Sequence, residues 1–326
     1  MEDALRPYLT GEAVLLAVSG GPDSTALMAA AAALDPVATI YVATIDHGLR
    51  PEAGAEAATV ARLAEAIGFS HRTLTWRGPK PLRGVQATAR SARYALLATY
   101  AESIGAGLVL TGHTRDDQAE TVLMRLLAGS GPAGLAGMRA ERSLTPSIRL
   151  ARPFLAIAKV QLVDYCERRG FAFLCDPSNA DERFARARLR RLLPELDREG
   201  LSPERLCRLA SRCARDEDAL MEAAQIAVEA ALRPALQPGI HLDGPHLCSL
   251  PEAVLLRVAS LVAEQMMPDR SERLERLEAL VLNELRPALL ASVPIRRTLR
   301  GILFEVTRAG DLVLTPAPPR RRGKSS

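Results

Sequence analysis

An α/β architecture, with a parallel sheet in the N-terminal domain and a smaller, mostly helical α+β C-terminal domain, is predicted by three features of this chain. Apolar runs of strand length alternate with helix-length segments through about the first half of its 326 residues. Polar, glycine-rich clusters follow the first, second and fourth of those runs. From about Ala151 the alternation gives way to helices and then to two short strands. Alternating strands and helices imply parallel pairing with right-handed crossovers. The three clusters then fall at the C-terminal ends of their strands and converge on one sheet edge, where open α/β sheets bind ligands.

The elements follow in order. Val14–Val18 is a continuous apolar run, as expected of a strand buried on both faces. It empties into Ser19-Gly20-Gly21-Pro22-Asp23-Ser24 and an Ala-rich helix from Pro22 to Leu34. Ala38–Ile45 is the second strand and ends at Asp46-His47-Gly48. Glu52–Ile67 reads as a helix closed by Gly68 at C′. His71–Trp76 is the third strand and Gln86–Ser103 a long helix. Leu108–Thr111 is the fourth strand, entering Gly112-His113, and a helix runs from Asp116 to Ala128 with Asp116 as its cap. Ile157–Arg169 is amphipathic and helical, followed by a short strand at Phe171–Leu174 and a turn at Asp176–Asn179. Phe184–Leu193 is an Arg-rich helix ended by Pro194. Pro203–Leu232 is long and helical. Pro234, Pro238 and Gly239 then mark a break, which divides the chain into a catalytic domain over 1–233, with a helical extension from about 195, and a second domain over 234–315. That second domain holds helices at Glu252–Glu264 and Glu272–Leu285 and strands at Gly301–Val306 and Leu312–Leu314. The Pro- and Arg-rich tail, 316–326, is expected to be disordered.

Composition narrows the function classes. Hydrophobic residues at 48% and charged residues at 25% describe a globular chain. No apolar run approaches the roughly 18–20 residues of a membrane span. Met1-Glu2-Asp3 lacks the layout of a signal peptide, so a cytoplasmic location is expected. Five cysteines, odd in number and without a CxxC, argue against a zinc ribbon or an iron–sulfur site. The net charge of +4 does not by itself announce nucleic acid. The basic residues are nearly all arginine, with Lys80, Lys159 and Lys324 the exceptions, a bias that a GC-rich genome would also produce.

The segment Ser19–Ser24 has the form of a phosphate cradle. Glycines admit the anion closely, and the first amides of the following helix point at it with the helix dipole behind them. It matches neither GxxxxGK[ST] nor the dinucleotide GxGxxG. An ordinary turn with a Ser or Asp cap is the alternative. Its position at the first strand–helix turn favours the nucleotide. The densest polar stretch is Leu110–Thr121. On a helix from Asp116, residues Asp116 and Glu120, with His113 one turn back, share a face. Carboxylates beside a triphosphate can hold Mg²⁺ or grip an ammonium, though acids also favour any first helical turn. Arg90 and Arg93 share a helix face, suited to phosphate or simply solvated. Gly129–Gly134 spells GxGxxG but follows a helix, so it reads as a mobile loop flanking the site. Arg183, Arg186, Arg188, Arg190 and Arg191 crowd one helix, open to RNA phosphates or to solvent.

The SGGPDS loop resembles the PP-loop of ATP pyrophosphatases, whose fold is that of adenine nucleotide α-hydrolases. With Ile45–Arg50 (IDHGLR), Ala89–Tyr94 (ARSARY), Leu110–Met138, Arg152–Leu155 (RPFL) and Asp176–Pro194, the chain resembles the tRNA(Ile)-lysidine synthetase family over about residues 12 to 195. The string from Leu110 to Met138 is its most specific part. Thr298–Leu314 fits more loosely.

The resemblance implies a two-step reaction. ATP adenylates the C2 oxygen of the wobble cytidine in an isoleucine tRNA with a CAU anticodon, and the amine of L-lysine then displaces AMP. It implies ATP and Mg²⁺ as cofactors. Carried over by residue, Ser19, Gly20, Gly21, Pro22, Asp23 and Ser24 hold ATP phosphates, with Gly112 beside them and Asp46 and His47 at the adenosine. Asp23 and Asp117 hold metal. Arg93 and His113 neutralise the phosphates. Asp116, Asp117 and Glu120 bind the lysine ammonium and metal, and one of these acids takes its proton. Arg186, Arg188, Arg190 and Arg191 contact tRNA. A homodimer is left open. The chain departs from the family pattern RNR[IL]R at Ala187, where an asparagine is usual. It is also shorter than the longest members, so a further C-terminal tRNA-contacting subdomain is expected to be absent. A tRNA thiolase, an amidating ligase and a non-catalytic tRNA-binding protein are the competing readings.

Overall fold

The structure, a computed structural model, describes residues 1–318 except 12, 35, 49–51, 79, 81–84, 175–184, 235–238 and 269–273, and leaves the side chains of 86 and 87 undescribed. The predicted turn at Asp176–Asn179, Arg183 and most of the tail lie outside the described residues. The chain divides into two compact units. The first comprises Met1–Gly129 and Gly134–Ser211, and the second Ser130–Ala133 and Arg212–Ser326. The division at Ser211 and Arg212 falls inside the helix Pro203–Ala231.

In the first unit a six-stranded sheet has the order β3-β2-β1-β4-β6-β5. Its strands are β1 (Ala13–Ala17), β2 (Thr39–Asp46), β3 (Ser70–Thr75), β4 (Leu108–Thr111), β5 (Glu141–Ser143) and β6 (Arg149–Ala151). Pairing is parallel throughout except for β5 against β6. The order reverses on either side of β1, so the ends of β1 and β4 border the switch point at which such sheets bind ligands.

β1 sorts its residues between two cores by simple alternation. Val14 and Leu16 pack with Leu27 and Met28 of α2 (Pro22–Ala33), Val60 of α3 (Ala53–Ala66) and Leu162 of α7 (Lys159–Arg168). Leu15 and Ala17 face the other way, onto Leu97 and Ala101 of α4 (Val85–Ser103). A third cluster joins Ala119, Val122 and Leu123 of α5 (Arg115–Leu127) to Leu189 of α8 (Ala185–Arg198) and to Leu206 and Ala210 of α9 (Pro203–Ala231).

Three local expectations are corrected. Residues 171–174 form no strand. Their amides go to the Cys166 carbonyl, from Phe171, and to the Gly20 carbonyl, from Leu174 at 2.8 Å, leaving no ladder partner. Pro194 does not end α8, because Leu193 and Leu196 continue the face that packs with Leu206. Asp116 does not cap α5; Thr114 does, in a capping box with Asp117.

The second unit has an antiparallel sheet ordered β7-β8-β11-β10-β9, from β7 (Leu232–Arg233), β8 (Ile240–Leu242), β9 (Ile295–Leu299), β10 (Ile302–Val306) and β11 (Leu312–Pro316). Ile302, Phe304, Val306, Leu312 and Leu314 alternate inward onto α11 (Glu252–Met266) and its neighbours. Only β10 and β11 were expected. β9 reads Ile-Arg-Arg-Thr-Leu and sits at the edge, where one polar face leaves little alternation to read. The last predicted helix is split. A π turn at Val281–Leu285 precedes α13 (Arg286–Ala291), whose Pro287 can donate no amide. Among the described residues no helix is long and apolar enough to cross a membrane.

Candidate active site

The loop after β1 is built by its own small polar groups. Gly20 has φ +89, and a Cβ there would lie 2.7 Å from Leu174 Cδ1. Ser24 donates its hydroxyl to the Gly21 carbonyl at 3.1 Å and accepts the Ser19 amide at 3.1 Å. The buried Ser24 therefore shapes the loop, while Ser19 remains exposed. Gly21 is the N-cap of α2, with Pro22 and Asp23 in its first turn. The free amides of that turn supply the anion-binding end.

The loop after β4 closes directly on this turn. A Cβ at Gly112 would stand 2.5 Å from the Asp23 carbonyl oxygen and 2.8 Å from its carbon. Only a glycine admits that backbone-to-backbone approach. Gly112 is thus a contact between the two clusters. Beyond it, Thr114 caps α5, and Asp117 Oδ2 accepts the Thr114 amide at 2.9 Å and hydroxyl at 3.1 Å. Asp116 Oδ2 accepts the Lys159 amide at 2.7 Å, so this acid caps α7 rather than its own helix.

The carboxylates differ in what they have left to offer. Asp23 Oδ2 accepts from Lys159 Nζ at 2.7 Å, and its buried Oδ1 has no partner among the described residues. Burial pushes the Asp23 pKa up against the Lys159 hydrogen bond, and the charges of Asp117 and Asp116 push the same way as burial. Glu120 is 2% exposed and paired with Arg190 through Nε to Oε1 and through Nη2 to Oε2 at 3.2 Å. Burial still pushes the Glu120 pKa up despite that partner. Glu120 in this structure faces a cation of its own chain, the half-exposed Arg190. Arg186, Arg188 and Arg191 are exposed, while Ala187, at the departure from the family pattern, is buried.

Positive charge collects beside the acids. Burial lowers the pKa of Arg93, and burial followed by Arg93 brings His113 down to about 3, with Arg152 and Arg90 adding to it against Asp117. His113 is consequently a neutral imidazole near pH 7. Its Nδ1 bonds the Thr111 hydroxyl at 2.8 Å. The guanidinium carbons of Arg90 and Arg142 lie 5.2 Å and 5.0 Å from the centroid of the Tyr94 ring.

At the end of β2, Asp46 Oδ1 accepts the Gly48 amide at 2.8 Å. His47 stands edge-on to Trp76 with ring centroids 6.2 Å apart, and its buried Nδ1 has no partner among the described residues. Lys80 Nζ sits 3.6 Å over the same indole. Burial, then Arg93 and Lys80, lowers the His47 pKa. The second half of the GxGxxG stretch is tied down, since Arg125 donates to the carbonyls of Gly134 at 2.6 Å and Gly137 at 2.9 Å.

Sequence reasoning missed Lys159, which reaches Asp23 across the chain, and Arg152, which lies within the quoted RPFL string but was given no role. A signal for Lys159 existed: it is a lysine at a helix start in a chain that otherwise uses arginine. Among the described residues no three His, Cys, Asp or Glu side chains gather as a metal cage. A cation here would draw on one or two carboxylates and on phosphate oxygens, and the unpartnered Asp23 Oδ1 fits that demand.

Comparison with known proteins gives the following. A family model described as a PP-loop domain matches residues 1–196. The tRNA(Ile)-lysidine synthase of Methylobacterium sp. (strain 4-46) is 52% identical over 99% of this chain and 99% of its own. That of Methylobacterium nodulans is 53% identical over 95% and 92%, and that of Rhodopseudomonas palustris 46% over 95% and 92%. Among solved structures, the U34-tRNA thiolase NcsA of Methanococcus maripaludis, with its 4Fe–4S cluster, superposes with a TM-score of 0.57 over 66% of this chain and 78% of that one. At 15% identity, that likeness shows the fold alone.

Proposed function

We infer the chemistry of this site from one premise: the chain belongs to the tRNA(Ile)-lysidine synthase family of PP-loop enzymes. It is an ATP-dependent ligase that joins L-lysine to C2 of the wobble cytidine in an isoleucine tRNA with a CAU anticodon, releasing AMP and pyrophosphate. The observation that carries the reading to this chain's own residues is the contact of Gly112 with the Asp23 backbone, which holds the phosphate cradle and the acidic cluster against each other.

In the first step the cytosine C2 oxygen forms a bond to the α-phosphorus of ATP while the bond to pyrophosphate breaks. The amides at the start of α2 and the Ser19 hydroxyl bind phosphate oxygens. Arg93 supplies fixed positive charge, and neutral His113 supplies a hydrogen bond. Asp46 and His47 lie at the adenosine end. In the second step the lysine amine attacks C2, and the C2–oxygen bond breaks as AMP departs with that oxygen. The amine must first lose a proton, since an ammonium has no lone pair. Asp116, Asp117 and Glu120 are the acids proposed to meet it; Asp117 Oδ2 is spent on the Thr114 cap, and its Oδ1 lies 3.9 Å from Arg190 Nη2. Glu120 reaches the ammonium only if Arg190 yields it. Asp23 and Asp117 would hold Mg²⁺, which when bound supplies charge neutralisation to the triphosphate. Arg186, Arg188 and Arg191 are the tRNA-facing arginines of this proposal, and a cytoplasmic location follows from the substrate. Nothing in the structure or the relatives supports a homodimer.

The thiolase reading loses ground to the cysteines. Burial pushes the thiols of Cys166 and Cys207 up to about 11, which suits core residues and not sulfur carriers. The deciding assay combines purified protein, ATP, Mg²⁺, unmodified isoleucine CAU tRNA and labelled lysine. Label entering the tRNA, with AMP and pyrophosphate formed in step, is the expected result. ATP consumption without label would overturn lysine as the nucleophile.

A further inference from the structure

The loop Ser19–Ser24 carries no lysine or arginine of its own. A cation reaches it from a distant part of the chain. Lys159 Nζ donates to Asp23 Oδ2 at 2.7 Å, in the first turn of α2. Lys159 is itself the first residue of α7, and the backbone there is fixed from two sides. Its amide donates to Asp116 Oδ2 at 2.7 Å, and the Arg115 amide donates to the Ile157 carbonyl at 2.9 Å. Behind it, Leu162 and Cys166 are in the core with α2, and the Cys166 thiol donates to the Pro22 carbonyl at 3.6 Å. The anchor of this lysine is rigid, and its side chain is the part free to move.

The exposure of the pair is uneven: the Lys159 side chain is 43% exposed and that of Asp23 20%. A half-exposed ion pair contributes little to stability. Its placement is more informative than its strength, because the ammonium stands where the helix start offers amides to an anion, and the second Asp23 oxygen is left unpartnered. A lysine head group is a compact, mobile point charge that can move between a carboxylate and a phosphate without breaking a bidentate geometry.

We propose that Lys159 is the phosphate-loop cation of this enzyme. Without nucleotide it neutralises Asp23. With ATP bound, its ammonium turns onto the β- and γ-phosphate oxygens and offsets the charge that the pyrophosphate gains as its bond to the α-phosphorus breaks. Lys159 forms no covalent bond. This rests on the reading that ATP phosphates lie at Ser19–Ser24.

The test uses the full chain and three probes, ATP, pyrophosphate and AMP, titrated calorimetrically into wild type, Lys159→Met and Lys159→Arg. Lys159→Met is expected to bind ATP and pyrophosphate at least about 10-fold more weakly and AMP as wild type does, and to slow the tRNA-dependent formation of pyrophosphate from ATP about 100-fold. Lys159→Arg should recover most of both. Unchanged ATP and pyrophosphate binding in Lys159→Met, or AMP binding that falls as far as ATP binding, would overturn the proposal, the latter by making Lys159 a structural prop. Should Lys159→Met not fold, Lys159→Gln, which keeps a hydrogen bond to Asp23, carries the same comparison. A wild type that binds ATP but transfers no lysine to tRNA would count against the lysidine reading alone, because the ATP-to-AMP contrast judges Lys159 separately.

Discussion

Asp23 must keep its charge available to a cation while standing where little water reaches it, and Lys159 eases that conflict when no nucleotide is bound. Asp23→Ala should abolish ATP turnover yet leave tRNA binding, followed by filter retention, close to wild type; an equal loss of both would make Asp23 a structural residue. Gly112 is subject to a harder constraint, since the atoms facing it are backbone and cannot swing aside. Gly112→Ala should destabilise the protein by about 1–3 kcal/mol, as overpacking does, and depress turnover further than its melting temperature alone explains. His113 makes a statement about pH. Its folded pKa of about 3 lies below the ordinary histidine value of 6.5, so the unfolded chain binds more protons between them. Stability from this group is present above about 6.5 and is lost as pH falls toward about 3. His113→Gln should flatten that loss in acid melting curves, and an unchanged slope would refute the neutral-imidazole assignment. His47 and His71, also held down by burial, leave a residual slope of the same sign.

The element that ties chemistry to RNA is α8. Its Arg190 is committed to Glu120 of α5 while its other arginines face outward. Breaking a buried pair strands a charge. Because the Arg190 side chain is 36% exposed, Arg190→Met should cost about 1–3 kcal/mol, below the fully buried range. Adding Glu120→Gln should restore part of it in a double-mutant cycle, and strict additivity would show the pair to be idle. Elements and loops contiguous in sequence were legible: SGGPDS after an apolar strand, and the polar run from Gly112 to Glu120, each announce a strand–loop–helix turn. What escaped depended on which distant residue a side chain meets. Asp116 looked like a cap for α5 because nothing local says that it reaches the amide of Lys159. Glu120 and Arg190 each looked available because neither reveals the other. Pro194 read as a stop because the leucines that carry α8 past it find their partners on α9.

On the scale of the whole molecule, a net charge of +4 cannot hold a tRNA by bulk attraction, so the affinity must come from local sets of arginines. Arg186→Ala should weaken binding of any tRNA and reduce the slope of log affinity against log salt by about 1. Filter binding across a salt series checks this, and an unchanged slope would remove Arg186 from the phosphate contacts. The near-touching backbones of Gly112 and Asp23 also have a consequence in time. Neither turn can loosen without releasing the other, so the amide of Thr25, bonded to the Gly21 carbonyl, and that of Thr114, bonded to Asp117, belong to one opening unit. Their hydrogens should exchange with a common protection factor and respond together to nucleotide. Two turns that the chain keeps apart by several strands and helices share a single lifetime.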